Sequence, residues 1–430
     1  MRHLNSASDL ANTRGLFTFL ISSVLLFVSF TISTHPSAAV ANHFSAVVSN
    51  KETSFIDPSA VVQCGPPNFR ACTFGQDVYI GPFARIKAGP RSPDSTPSIT
   101  IGNSSDVQDS ALLDTTPNHE PIILGEKVII AHGARVLGGA KIGLSGTCNG
   151  GASVCPSFVG FNAEVAQTAV VERDAMVGHL ARVGPGVTIH SGLVVLPGKN
   201  ITSEREIPEK TREICESDRK FMDAVIHVNE ALAAGYLVLQ EQNRLNVRGI
   251  NYNPITDLNP ASVLPLINGT RTQDPNSRTR IIGNVQLADV DLRTVGINVS
   301  LRADEGTPFL VGKIASLENS TTFHALEHTK LTLGDNGRYG AGSVVHGGSF
   351  NNFNTSTGRN FVLGNDSVFF NSTAGDDCKV GAMSFVSDTT LAANRVVEDR
   401  VVILAGVESR VEWNRGTRTH KRGGRGKRGH

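Results

Sequence analysis

A mainly β chain of two parallel β-helix domains, with an α-helix packed on the first, is the fold class this 430-residue sequence predicts. Three observations lead there. Apolar residues recur every six positions, at Val159, Val165, Val171, Val177, Val183, Ile189 and Val195. Neither a helix nor a simple strand gives that period, whereas the short strands on the flat sides of a prism do. Gly160, Gly178 and Gly184 each follow one of these residues, where a small side chain relieves crowding at a prism corner. The composition agrees: 43 glycines, 6% aromatic and 18% charged residues suit turn-rich β structure better than a helical bundle.

The same aliphatic-glycine step occurs earlier at Ile80, Ile101, Leu124 and Ile142, and less regularly later at Val311, Leu333, Leu363 and Val380. After Pro208 the pattern changes. Glu209 to Gln242 is rich in Ala, Leu, Glu and Lys at helical spacing, which predicts a helix lying along the first prism. Residues 251–280, with four prolines and scattered Asn, Ser and Thr, read as a linker. The first β-helix with its helix is therefore expected at 53–250 and the second at 281–409.

Arg2, His3 and Arg14 precede an apolar run from Leu16 to Ile32, and Ala39-Val40-Ala41 follows at the spacing of a signal-peptidase site. Residues 1–41 thus read as a secretory signal or, uncleaved, as a membrane anchor, and the protein is expected outside the cytoplasm. Six cysteines suit that compartment. Cys64 and Cys72 are neighbours, as are Cys148 and Cys155, and each pair is placed to staple a local loop; Cys215 and Cys378 remain to tie the halves together. Spacing leaves the connectivity open. Net charge is +1, yet Arg410 to His430 holds eight Lys/Arg against Glu412. Residues 410–430 read as a basic disordered tail, either solvated or touching anionic lipid or envelope polymer; no nucleic-acid partner is expected.

A β-helix does not specify chemistry, so function rests on a site. Two segments resemble each other. Phe83-Ala-Arg-Ile-Lys-Ala, Ile101-Gly and Asp106-Val-Gln-Asp-Ser-Ala-Leu-Leu-Asp114 lie over Asn298-Val-Ser-Leu-Arg-Ala-Asp-Glu-Gly306, Val311-Gly and Ser316-Leu-Glu-Asn-Ser-Thr-Thr-Phe-His324. Ile130-Ala-His-Gly-Ala-Arg-Val-Leu-Gly138 lies over Tyr339-Gly-Ala-Gly-Ser-Val-Val-His-Gly347. Both copies resemble the γ-class carbonic anhydrases over nearly all their length, as a tandem duplication. The resemblance implies left-handed parallel β-helices that associate in threes. It also implies a metal held by the first and third histidines of one β-helix and the middle histidine of its neighbour.

The losses of the two copies are complementary. The second keeps the first and third positions as His324 and His346 but has Ala341 in the middle; the first keeps only the middle one, His132, beside Asp114 and Leu137. His132, His324 and His346 make one full set, and the reverse combination cannot hold a metal. By the resemblance, Glu327 shuttles protons with His328 accessory, and Glu305 orients the metal's fourth ligand. Gln108 and Asn229 offer amides to substrate. Arg302 with Asp304, and Asp109 from the first copy, fasten the interface. His179, His190 and His227 are expected to be structural or exposed.

Three neutral imidazoles with an open fourth position suit zinc, with iron or cobalt also accommodated, and such an ion lowers the pKa of a bound water from 15.7 to about 7. The implied activity is reversible hydration of CO2 to bicarbonate. The alternatives are an inactive scaffold subunit of the same family and a hexapeptide acyltransferase. The split site implies oligomeric rings that mix both domains, or a hetero-oligomer. Three chains arranged as two mixed rings would carry about two sites.

Overall fold

The computed structural model describes residues 53–64, 72–89, 97–257, 259–305, 308–326, 329–348 and 354–415. The signal segment 1–41, Glu327, His328 and the final residues 416–430 lie outside the described residues.

Residues 53–213 form a prism of three sheets with eight, seven and six strands, all parallel except Thr211–Glu213 at one edge. The first face runs from Phe55–Ile56 through Tyr79–Ile80, Asp106–Val107, Val128–Ile130, Ser157–Val159 and Met176–Val177 to Leu193–Val195. All seven residues of the six-residue series from Val159 to Val195 are 0% exposed and stack in one aliphatic core. The backbone carries the period too. Asn162, Thr168, Asp174 and Leu180, then Gly186, Gly192 and Gly198, all have positive φ, one left-handed corner per six residues. Gly178 is required by close stacking, since a Cβ there would lie 2.5 Å from the Val195 carbonyl oxygen.

The second β-helix has a nine-stranded face running from Ile250–Asn251 through Arg280–Gly283, Ser300–Ala303, Thr322–Ala325, Val344–Gly347, Val368–Phe370 and Phe385–Ser387 to Val401–Leu404, closed by the antiparallel Val407–Arg410. Its other two faces share Phe309–Leu317, whose register shifts between Ile314 and Ser316 as the strand turns a corner. The fold class is the one the period predicts.

Three boundaries and one cysteine pairing differ from expectation. The helix begins at Glu216 and ends at Gln242. Pro208 opens only the single turn Ile207–Lys210, and Thr211–Glu213 then pairs antiparallel with Leu193–Val195. Asp218 caps the long helix by accepting the Cys215 N–H at 2.8 Å. Residues 251–280, read as a linker, carry Leu266–Ile267, which pairs with Gln286–Leu287, so the second β-helix already starts at Ile250. Cys64–Cys72 and Cys148–Cys155 form disulfides, but Cys215 and Cys378 do not pair. Cys215 is exposed at the helix start and Cys378 is buried in the second core. Finally, the segment read as a disordered tail is ordered in part: Arg410 ends a strand, and Val411, Trp413 and Arg415 are buried.

The two prisms meet inside one chain. Phe158, Phe161, Met176 and Leu180 of the first pack with Val344, Val368, Phe370 and Phe385 of the second, with Met222, Val225 and Ile226 of the long helix in the same cluster. Ile86, fully buried between Val62 and Leu113 in its column, measures what one core position contributes. Ile86→Ala should lower the unfolding free energy by about 2–5 kcal/mol in urea titration, while Val396→Ala, at a 58%-exposed position, should change it by less than about 0.5 kcal/mol.

Candidate metal centre

His324 and His346 face each other across adjacent parallel strands in direct register. His132 stands on the turn after Val128–Ile130 of the first β-helix, and the prism contact carries it to the same point. All three are buried. His324 Nδ1 lies 3.2 Å from His132 Nε2 and 3.2 Å from His346 Nε2. The three ligating nitrogens fall within 4.8 Å of one another.

Each ring is oriented from behind. The His346 Nδ1–H donates to the Gly347 carbonyl at 2.8 Å, leaving Nε2 as a bare lone pair. His132 Nδ1 is 3.7 Å from Asp109 Oδ1, and the ring stacks on Phe161, 15° from parallel. His324 Nε2 is 2.9 Å from Glu305 Oε1 and 3.4 Å from Asp304 Oδ1. Burial, reinforced by the charge on His324, holds His132 and His346 well below the ordinary histidine pKa. Burial also opposes protonation of His324, as does Arg302, but Glu305 and Asp304 outweigh both and push it up to about 9.

Asp109, Arg302 and Asp304 form a buried ionic bridge between the β-helices. The Arg302 Nε–H donates to Asp109 Oδ2 at 2.9 Å and its Nη1–H to Asp304 Oδ2 at 2.6 Å, with Tyr79 beneath the guanidinium at 5.8 Å. Ser300 donates to Asp109 Oδ2 and Tyr236 to Asp304 Oδ2, both at 2.5 Å. Burial works to raise the Asp304 carboxyl, but Arg302, His324 and Tyr236 hold it far below the carboxylate range. Sequence reasoning missed Ser300 and Tyr236. The available signals were spacing: Tyr236 lies two helical turns beyond Asn229, and Ser300 precedes Arg302 by two on one strand face.

Gln108, Asn229, Glu305, His324 and His346 line one small cavity, with Phe158, Phe161, Phe221, Val225, Val228 and Leu326 as its apolar wall. Its volume is about 10 Å³, room for about one water. Asn229 lies 7% exposed on the long helix and donates one amide hydrogen to the Val225 carbonyl. The structure therefore brings together His132, His324, His346, Glu305, Gln108 and Asn229, with Asp109, Arg302 and Asp304 behind them. It leaves Asp114 apart, accepting from Thr116, with Ala341 and Leu137 at partly exposed positions. His179 is partly buried, whereas His190 and His227 sit in exposed ion pairs.

The donor set fits a tetrahedral divalent metal. An ion about 2.0–2.1 Å from each imidazole nitrogen spaces its ligands about 3.3 Å apart, close to the separations found here. His346 Nε2 is already bare, and any proton on the other two facing nitrogens is shed on binding. Glu305 Oε2 is buried with no hydrogen-bond partner among the described residues.

No family model matches the chain. It is 30% identical over 170 residues to a carbonic anhydrase of Methanosarcina thermophila, covering 38% of this chain and 63% of that protein. It is 27% identical over 135 residues to the carboxysome assembly protein CcmM of a Nostoc species, covering 29% and 23% of the two chains. The CcmM of a Synechocystis species is 29% identical over 144 residues, covering 30% and 20%. The chain thus spans less than two thirds of the length of these relatives. Solved structures that match include a hexapeptide transferase family protein from Anaplasma phagocytophilum, at 19% identity over 42% of this chain and 91% of that one, TM-score 0.30. Another is an Arabidopsis UDP-N-acetylglucosamine acyltransferase, at 10% identity over 81% and 70%, TM-score 0.16. Likenesses this slight carry no argument about chemistry.

Two measurements follow from the geometry. Asp109→Ala strips Arg302 of one of its two buried carboxylates and should cost about 3 kcal/mol in denaturant unfolding, whereas Asp114→Ala should leave stability unchanged. His179, partly buried and stacked on Phe161, is pushed down to about 3 by desolvation. Between about pH 6.5 and 3 the unfolded chain binds the proton that the folded chain refuses, so stability falls as pH falls through that window. His179→Phe should reduce that slope by about 1.4 kcal/mol per pH unit in unfolding titrations at pH 4–6, and an unchanged slope would contradict the assignment.

Proposed function

Because this chain belongs to the γ-carbonic-anhydrase-like family of β-helix proteins, we propose that it is a metal-dependent carbonic anhydrase whose centre is shared by its own two β-helices. The observation that carries this reading is the convergence of His132 with His324 and His346 at 3.2 Å spacings inside one chain. These three residues hold a divalent metal, zinc first, with iron or cobalt chemically acceptable. When bound, such an ion would supply Lewis-acid chemistry at this point.

The chain's own residues supply the remainder. Glu305, beside His324 and with Oε2 unpaired, accepts a hydrogen from a group in the cavity and so orients it. Gln108 and Asn229 present amide dipoles across the cavity to CO2 or bicarbonate. The aromatic and aliphatic wall keeps bulk water out, which strengthens every electrostatic contact within. Glu327 passes the released proton toward solvent. Asp109, Arg302 and Asp304 fix the contact on which the ligand spacing depends.

Both halves of the ligand set belong to one chain, so the count is one metal per chain rather than two per three chains. A further β-helix, from another copy or a hetero-partner, completes a ring of three. The two short-loop disulfides support an oxidising, extracytoplasmic location. The relatives named as assembly proteins give a second reading, a metal-free scaffold.

Metal analysis of the purified full-length chain should find about one transition-metal ion per chain, with CO2 hydration that a chelator abolishes. His132→Ala and His324→Ala should each reduce bound metal and hydration to less than a tenth, and Asp114→Ala should change neither. A chain that folds but holds no stoichiometric metal favours the scaffold.

A further inference from the structure

Residues 411–415 run in the groove between the two β-helices, against two columns of left-handed corners. On the first β-helix these corners are Gly198, Leu180, Asn162 and Gly133, with φ of 74°, 53°, 54° and 68°. On the second they are Arg400, Met383 and Asp366, with φ of 60°, 50° and 54°. The segment descends one coil at a time. The Val411 N–H donates to the Arg400 carbonyl at 2.8 Å and the Glu412 N–H to Gly198 at 2.9 Å. The Trp413 indole N–H donates to Leu180 at 2.6 Å, and the Arg415 N–H points at Met383 Sδ, 3.4 Å away. At the end of the groove the Arg415 guanidinium reaches Asn162 Oδ1 at 2.7 Å, Asp366 Oδ1 at 3.3 Å and the Gly133 carbonyl oxygen.

We infer that Arg415 is a positioning residue for His132, so that the segment 411–415 holds the candidate metal ligand in place; this deepens the metal-centre reading above and rests on it. His132 stands on the turn 131–134 rather than on a strand; the turn closes through the Ala134 N–H to the Ala131 carbonyl at 3.0 Å, and its Ala131 and Gly133 N–H groups donate to the Val159 and Asp109 carbonyls at 2.9 Å each. The two peptide carbonyls flanking the crest are tied from outside. His132 O accepts the Asn162 N–H at 3.0 Å, and Gly133 O accepts Arg415. Asn162 is itself fixed to the second β-helix, its amide donating to the Gly342 and Asp366 carbonyls at 3.0 Å each. The turn is packed without slack, because a Cβ on Gly133 would lie 2.2 Å from Asn162 Oδ1, the atom that accepts from Arg415. One buried cation therefore joins the His132 turn, its neighbouring coil and the opposite β-helix. Removing it leaves a buried carbonyl and a buried carboxylate without their charged donor.

The test uses the full-length chain, with zinc as the metal probe, and compares Arg415→Ala and Arg415→Lys with Glu412→Ala. Glu412 lies at the far end of the same segment, paired with Lys199 and Lys210 at 2.8 Å each. Arg415→Ala should speed amide hydrogen exchange in peptides covering 130–135 at least about tenfold. Zinc affinity in chelator competition should fall about 10–100-fold, the cost usual for losing a group that orients a ligand. Arg415→Lys, which keeps the charge but not the fork, should fall between, and it serves alone if the alanine variant does not fold. Glu412→Ala should leave both readouts at parent values. Unchanged local exchange in Arg415→Ala, or equal losses in Glu412→Ala, would overturn the inference and reduce the segment to a general strap. If the parent chain itself binds no zinc, the metal reading fails separately, and the exchange contrast still decides whether Arg415 holds the turn.

Discussion

Arg302 sets the distance on which the rest of this structure depends. Its guanidinium lies between Asp109 of one β-helix and Asp304 of the other, out of water, with Tyr79 as its floor. Two carboxylates on one buried cation give a contact that tolerates little slippage, because moving either prism exposes an unpaired charge to a low-dielectric surround. Asp109 also stands behind His132, and Asp304 beside His324. The bridge that joins the β-helices thus also orients the imidazoles that meet across them, and docking and site assembly become one event.

Around that contact the β-helix acts as a ruler. Coils stack at fixed spacing, so residues on equivalent corners form columns, and a column can carry packing or chemistry without further design. His132, Phe161 and His179 are stacked rings on one such column, and His324 and His346 are neighbours on another. A second buried pair between the prisms, Arg280 with Asp57 at 2.9 Å, repeats the Arg302 device one edge away. The long helix closes the site from a third side: Asn229 lines the cavity, and Tyr236 on the same face reaches Asp304.

Much of this was legible in the sequence for a physical reason. Every coil must point an aliphatic side chain inward, so the six-residue period is written directly in the first β-helix. It blurs in the second, where Arg400, Met383 and Asp366 recur every 17 residues and Phe309–Leu317 bends across a corner. The ligand set was legible because two copies could be laid over each other and their losses compared. The pairing left for Cys215 and Cys378 was not, since leftover cysteines need not meet; one starts a helix and the other fills a core. Arg415 was the least legible. It sits in a basic run whose composition reads as solvated tail, and its partners include a backbone carbonyl, which leaves no trace in sequence.

The proposed metal site lies between two unequal repeats of a single chain. Anomalous diffraction at the zinc absorption edge, from crystals of the full-length protein grown with zinc, tests it most directly. One peak per chain, bonded to His132 and to His324 and His346, is the result expected. A peak at a separate place in each β-helix, or none near these three residues, would contradict it.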